Sequence, residues 1–235
     1  MEKLAVITGA SRGIGKAIAL KLAQNNFCLA MSAQNPARLA GLRDRLKDEF
    51  PNQEFHIFPA DLSKKNEVLA FADSVIETGV PVDILVNNCG IYIPGQVHSE
   101  PDGRLEQLIE TNLYSAYHLT RALSPGMKKH KGGHVFNICS TASLTPFPDG
   151  GSYAISKFAM YGFSKALREE FKQFGIRVTS VLPGPVYTDS WEGANLPESR
   201  FMKPADVAEA LWAAFSVSGQ TVLEEIILRP QLGDI

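Results

Sequence analysis

Leu4-Ala5-Val6-Ile7-Thr8-Gly9-Ala10-Ser11-Arg12-Gly13-Ile14-Gly15 is the stretch on which the fold turns. Leu4–Thr8 is a short apolar run containing β-branched residues, which reads as a buried strand. The run gives way to a loop with three glycines, and from Gly13 to Asn25 the pattern is that of an amphipathic helix. Strand, glycine loop and helix in this order make the first turn of a nucleotide-binding α/β unit. Gly9 lets the chain turn sharply, Gly13 lets backbone approach a pyrophosphate, and Gly15 lets the helix pack on the sheet. The helix start then offers free N–H groups and a positive dipole end to phosphates. The spacing is G-x-x-x-G-x-G, not the more usual G-x-G-x-x-G.

The same alternation continues outward. Further apolar runs stand at Phe27–Ser32, Glu54–Phe58, Asp83–Val86, His134–Cys139, Arg177–Leu182 and Val222–Leu228. Between them lie helical patterns at Pro36–Phe50, Lys64–Thr78, Gly103–Ala122, Ser152–Phe174 and Pro204–Ser216. Most of the runs are apolar on both faces, as strands of a covered parallel sheet must be. The expectation is one α/β domain over residues 1–235, a doubly wound, Rossmann-type, seven-stranded parallel sheet with helices on both faces. Residues 184–203, rich in Pro, Gly and Asn, follow the carboxyl end of a strand and read as a short substrate lid.

Composition narrows the function. The net charge is −2, so neither nucleic acid nor an acidic solvating role is indicated. No apolar run is long enough to span a bilayer, and Met1-Glu2-Lys3 leads straight into the first strand without a secretory apolar region. Three scattered cysteines, Cys28, Cys89 and Cys139, fit reduced thiols in a cytoplasmic protein. The histidines, His56, His98, His118, His130 and His134, show no metal spacing and read as surface or packing residues.

The chemistry is suggested further along. Ser140 stands at the end of the fifth strand, and Tyr153 and Lys157 stand four apart near the start of a long helix, on one face. A free tyrosine has a pKa of about 10 and is a poor acid–base group at neutral pH. A neighbouring ammonium favours the phenolate and brings the phenol toward the working range. A serine hydroxyl can then hydrogen-bond a substrate oxygen as it gains charge.

With these residues in place, the chain resembles the short-chain dehydrogenase/reductase family over essentially its whole length. The matching motifs are Thr8 to Gly15, Asp61-Leu62, Asn87-Asn88-Cys89-Gly90, Asn112, Ser140, Tyr153-Ala154-Ile155-Ser156-Lys157 and Pro183-Gly184-Pro185-Val186-Tyr187-Thr188. The resemblance implies a tetrad of Asn112, Ser140, Tyr153 and Lys157. Tyr153 would be the general acid in reduction, Ser140 would position the carbonyl, and Lys157 would hold the nicotinamide ribose. Asn112 would anchor a water that relays protons to Lys157. The glycine loop (Gly9, Ser11, Arg12, Gly13, Ile14, Gly15) would hold the cofactor phosphates. Asp61 and Leu62 would face the adenine, Asn88 to Gly90 would support the adenosine side, and Thr188, with Pro183, Gly184 and Val186, would border the nicotinamide amide. The family resemblance also implies a homodimer or homotetramer. Cys89 departs from the usual alanine, and Ser143 stands where a glycine often follows the serine; both changes are small and leave the chemistry intact.

An acid after the second strand would bind the ribose 2′-hydroxyl of NAD and repel the 2′-phosphate of NADP. Ala33 occupies that position here, while Arg12 supplies a cation and Ser32, Gln34 and Asn35 add donors. NADPH is therefore the expected cofactor, ahead of NADH. Tyr114 and Tyr117 read as packing or subunit-contact residues. Trp191, in the lid, is placed to stack on an aromatic substrate. The C-terminal Glu224 to Pro230 stretch and Gly233-Asp234-Ile235, with Val186-Tyr187-Thr188 and Trp191, resemble the bacterial sepiapterin-reductase-like branch. The function expected is reduction of a small-molecule ketone or aldehyde, or oxidation of the matching alcohol. Two alternatives stay open, a 3-oxoacyl-carrier-protein reductase and a catalytically idle NADP(H)-sensing regulator. The first would use a basic surface such as Arg121, Lys128, Lys129 and Lys131.

Overall fold

The computed structural model describes residues 2–188 and 196–235. The first half of the chain alternates β1 (Lys3–Thr8), α1 (Gly13–Gln24), β2 (Phe27–Ala33), α2 (Pro36–Glu49), β3 (Phe55–Pro59), α3 (Lys65–Glu77) and β4 (Val82–Asn87). The second half adds α4 (Arg104–Ile109), α5 (Ser115–His130), β5 (His134–Ile138), α6 (Gly151–Phe171), β6 (Arg177–Pro183), α7 (Pro204–Ser216) and β7 (Glu225–Leu228). The strands form one seven-stranded sheet in the order β3-β2-β1-β4-β5-β6-β7, with parallel pairing throughout. On one face α1, α2 and α7 bury Ile18, Leu22, Leu39, Leu46 and Leu211 against the sheet. On the other, α3, α5 and α6 bury Val68, Phe71, Leu119, Leu123 and Phe171. Among the described residues no helix is long and apolar enough to cross a membrane.

The order of strands reverses direction between β1 and β4, and a doubly wound sheet opens a crevice at the carboxyl ends of such a pair. The central strands are buried on both faces, whereas the edge strands β3 and β7 are half exposed, because each has a neighbour on one side only. β7 begins at Glu225, later than the expected Val222. Residues 223 and 224 still bond to β6, Thr179 Oγ1 donating to Leu223 O at 2.6 Å and Ser180 N to Glu224 O at 2.8 Å.

The helix expected over Gly103–Ala122 is built differently. It starts at Arg104, widens into a π-type turn at Glu110–Tyr114, and continues to His130. It runs through Pro125, whose ring removes the N–H that would bond Arg121 O. The Ser124 hydroxyl donates to that carbonyl instead, at 3.2 Å. The proline therefore leaves no orphaned acceptor there, and the helix survives it.

His134 is the one fully buried histidine. Burial first, and the Arg177 cation second, push its pKa down to about 2, so it is neutral at any physiological pH. Its ring stacks on Phe136, and Nε2 lies 2.7 Å from Thr179 Oγ1. The Thr179 proton is already given to Leu223 O, which leaves Nε2 as the donor. That makes it a packing residue, as read from the sequence. Among the described residues no cluster of His, Cys, Asp or Glu could hold a metal ion.

Candidate active site

The crevice between β1 and β4 is closed by hydrogen bonds, not by apolar contact. Thr8 Oγ1 accepts the backbone N–H groups of Asn88 and Cys89, each at 2.9 Å. Asn88 Nδ2 returns two bonds, to Thr8 O at 2.9 Å and Gly9 O at 3.1 Å. Gly9 takes φ +63°, a conformation that costs a side chain strain but a glycine nothing. A Cβ at Gly15 would stand 2.3 Å from Gly9 O and 2.6 Å from Asn88 Nδ2. Gly15 therefore sits beneath the loop, where the helix start meets both the loop and the end of β4, and not on the cavity wall.

Above this floor lies a cavity of about 1200 Å³. Its wall takes in Gly9, Ser11, Arg12, Gly13, Ile14, Gln34, Asp61 and Leu62, then Asn88, Cys89 and Gly90, and finally Pro183, Gly184, Val186 and Thr188. Ser140, Tyr153 and Lys157 line the same cavity. Asn112 does not. It is buried behind the wall in the π-type turn, its Oδ1 accepting from Ile91 N at 2.8 Å and its Nδ2 donating to Ile91 O at 3.0 Å and Ser156 Oγ at 2.9 Å. Single π turns inside α-helices are often found at functional sites. Trp191 lies outside the described residues.

A dinucleotide fits this cradle by one local test. The residue that caps α1 is Arg12, whose side chain makes no capping hydrogen bond, and the first turn of α1 contains no acid. The helix N–H groups are thus left for an anionic group. At the far end, Ala33 offers no carboxylate, and Arg38 joins Arg12 on the wall. One donor expected from sequence is reassigned: Ser32 is buried in β2 away from the cavity. Asn35 lines the wall, its oxygen capping α2 by accepting from Arg38 N at 2.9 Å. Asp61 is held ionised, below the usual carboxylate range, chiefly by the Ser63 hydroxyl at 2.7 Å.

At the reacting end each side chain is held by a different element. Ser140 follows β5 and opens a short 3₁₀ turn, Thr141–Ser143. Its Oγ accepts from Ala142 N at 3.1 Å, and Ser143 Oγ accepts from Ser140 N at 3.2 Å. The serine oxygen is thereby fixed while its proton stays available to a second acceptor. Ser143, a departure from the usual glycine, completes this capping arrangement. Lys157 is buried in α6 and donates to Ile138 O at 2.9 Å. Its Nζ stands 5.9 Å from the Tyr153 ring centroid, so the four-residue spacing does put cation and phenol side by side. Among the described residues no group hydrogen-bonds the Tyr153 hydroxyl. Desolvation pushes the Cys89 thiol up to about 11 and the Cys139 thiol to about 12, so both stay neutral and serve as small fillers.

Some of the lining escaped the sequence. Tyr92 and Phe147 flank Tyr153, with ring centroids 4.9 Å and 6.5 Å away and near edge-on geometry. Burial raises the Tyr92 hydroxyl above its ordinary value, which keeps it protonated beside Tyr153. Arg229, Asp234 and Ile235 bring the C-terminus onto the wall near Gly184, with Arg229 and Asp234 paired. Tyr92 was signalled only by its place two residues beyond Gly90, and Arg229, Asp234 and Ile235 only by the C-terminal stretch that resembles the sepiapterin-reductase-like branch. The two ends of the expected lid are pinned together, Tyr187 N donating to Met202 O at 2.9 Å and Met202 N to Pro185 O at 3.0 Å.

Comparison with known proteins agrees with this geometry. The family model described as short chain dehydrogenase matches residues 3–199. An uncharacterized oxidoreductase of Bacillus subtilis, YusZ, is 35% identical over 206 residues, covering 87% of this chain and 72% of its own. The sepiapterin reductase of Chlorobaculum tepidum is 32% identical over 243 residues, covering 100% of this chain and 99% of its own. Among solved structures, an alcohol dehydrogenase of the archaeon Thermococcus sibiricus in complex with 5-hydroxy-NADP superposes with a TM-score of 0.92. It is 29% identical, and the match covers 100% of this chain and 99% of that one.

Proposed function

The chain belongs to the short-chain dehydrogenase family of oxidoreductases, and from that premise we propose that it is an NADPH-dependent carbonyl reductase for compact aryl or pterin-like substrates. The observation that carries the reading is the shared cavity. Ser140, Tyr153 and Lys157 stand at one end, and Arg12 and Arg38, with no acid at Ala33, stand at the other. The nicotinamide supplies the hydride when bound. Tyr153 gives its proton to the carbonyl oxygen as negative charge builds there. The Ser140 hydroxyl donates to the same oxygen while its own oxygen is anchored through Ala142 N. Lys157 favours the phenolate left behind and holds the ribose. Asn112, through Ile91 and Ser156, keeps the proton path to Lys157 in register. The protein acts in the cytoplasm as a single catalytic domain.

The substrate class rests on Tyr92 and Phe147, which give the space beside Tyr153 an aromatic wall. Trp191, outside the described residues, enters the proposal from the sequence alone. The carrier-protein alternative fares worse. Lys128, Lys129 and Lys131 lie at the end of α5, just before β5 begins, at the amino ends of the strands and so away from the carboxyl ends where the cavity opens. A set of carbonyls assayed with NADPH and NADH tests the proposal. Aryl aldehydes, aryl ketones and pterin-like dicarbonyls should oxidise NADPH best. Trp191→Ala and Tyr92→Ala should each lower kcat/KM for these about three- to tenfold, the scale of one aromatic contact, and spare small aliphatic ketones. An acetoacetyl thioester preferred over every aromatic carbonyl, with no response to either variant, overturns the substrate class.

A homodimer or homotetramer is part of the same reading. Leu105, Tyr114, Tyr117, Ile155 and Phe158 are large and exposed on α4 to α6, and Ile227 is exposed on the edge strand β7. Light scattering at micromolar concentration should give at least twice the 25.6 kDa chain mass. A stable monomer there excludes the assembly.

A further inference from the structure

Helix α6 carries both Tyr153 and Lys157, yet the residue at its amino end, Gly150, has no side chain to cap it. The cap comes from elsewhere. Glu100 lies in the segment between β4 and α4, and its Oε1 accepts the Ser152 backbone N–H at 2.9 Å. Its Oε2 accepts the Ser152 hydroxyl as well. Tyr153 is the next residue in the chain.

The contact is built on both sides. A Cβ at Gly151 would stand 2.1 Å from Glu100 Oε1 and 2.4 Å from Gly95 O, and one at Gly95 would stand 2.6 Å from Glu100 Oε1. Only glycines admit the carboxylate. Two more bonds tie the same segments, Gly95 N donating to Asp149 O and Gln96 Nε2 to Asp149 Oδ1, both at 2.9 Å. The tied segment also carries Tyr92, whose ring meets that of Tyr153 edge-on. The carboxylate caps the start of α6 and, with the Asp149 bonds, holds the segment whose ring leans on its first aromatic residue.

We infer that Glu100 is a positioning residue for the proton donor, acting through Ser152 to set the Tyr153 ring in the cavity. The inference rests on Tyr153 being the donor. The Ser152 bonds hold Glu100 below the usual carboxylate range, so it stays ionised and accepting at neutral pH. A displaced donor is costly, since a shift of about 1 Å in a catalytic group can slow turnover about a hundredfold. Removing the cap loosens the helix start without deleting the donor, so a smaller loss is expected.

The test is kinetic and uses the carbonyl that the parent enzyme reduces best. Glu100→Ala should lower kcat about tenfold, with the Kd of NADPH by fluorescence titration within about twofold of the parent, because the phosphate end of the cavity is untouched. Glu100→Gln should recover most of the rate, its carbonyl oxygen accepting the Ser152 N–H and its amide donating to the hydroxyl. Ser152→Ala keeps the backbone bond and should fall between them, adding nothing when combined with Glu100→Ala. An unchanged kcat in Glu100→Ala, a Gln variant as slow as the Ala variant, or equal loss of kcat and NADPH binding overturns the inference. If Glu100→Ala does not fold, Ser152→Ala decides, and a parent-like kcat there overturns it. Tyr153→Phe is measured alongside. A Phe enzyme that keeps its rate removes the donor itself and overturns the reading along with the inference. A dead Phe enzyme beside an unimpaired Glu100→Ala overturns the inference alone.

Discussion

Tyr153→Phe is expected to leave a folded protein that binds NADPH and turns over at least about a hundredfold more slowly, the usual scale for loss of a general acid. The substitution deletes one oxygen. Among the described residues no hydrogen bond ends on that oxygen, so the fold loses no polar contact with it. The ring keeps its neighbours Tyr92 and Phe147 and the nearby Lys157 cation. What disappears is the proton at the moment the carbonyl oxygen takes on charge. Ser140 can still donate a hydrogen bond there, but a serine hydroxyl is a far weaker acid than a phenol and does not give up its proton. A hundredfold loss corresponds to about 2.7 kcal/mol of barrier, which is more than the thermal stability should change. Steady-state kinetics, a melting curve and an NADPH titration on the same preparation separate these outcomes. Near-normal kcat in the Phe variant would show that another group donates the proton.

Much of the fold was legible because its signals are local. Leu4 to Gly15 contains strand, loop and helix start within one turn of chain, and the later alternation follows the same rule. The helix through Pro125 was not legible, since the sequence shows the missing N–H but not that Ser124 supplies a substitute. Nor was the π-type turn at Asn112, which is stabilised by Ile91 and Ser156, 21 and 44 residues away. The candidate site divides the same way. Ser140, Tyr153 and Lys157 announce themselves by spacing on one strand end and one helix. Glu100 and Ser152 are 52 residues apart, and only the folded chain places a carboxylate on that helix end. Arg38 escaped for a simpler reason. It is not among the residues directly after β2, and only the first turn of α2 carries it back to the cavity wall.

The cofactor end gives the other large effect. Arg12→Ala should raise the KM for NADPH about ten- to a hundredfold and leave that for NADH nearly unchanged. The size follows from the loss of one charge-assisted hydrogen bond, worth about 1.5–3 kcal/mol. The selectivity follows from where the charge lies. Arg12 borders the cavity at the start of α1, close to the end of β2 where Ala33 leaves room for a 2′-phosphate and nothing to repel it. NADH has no group there for the guanidinium to meet, so deletion costs it little. Arg38 on the same wall should soften the loss, keeping it toward the lower end of the range at low salt and exposing it as ionic strength rises. The helix N–H groups that meet the pyrophosphate do not depend on the Arg12 side chain, so the two cofactors should still share that part of their affinity. Saturation curves for both cofactors at two salt concentrations measure all of this. Equal changes in both KM values would mean that Arg12 serves the pyrophosphate or the loop fold, and the choice between cofactors would then have to come from elsewhere on the wall.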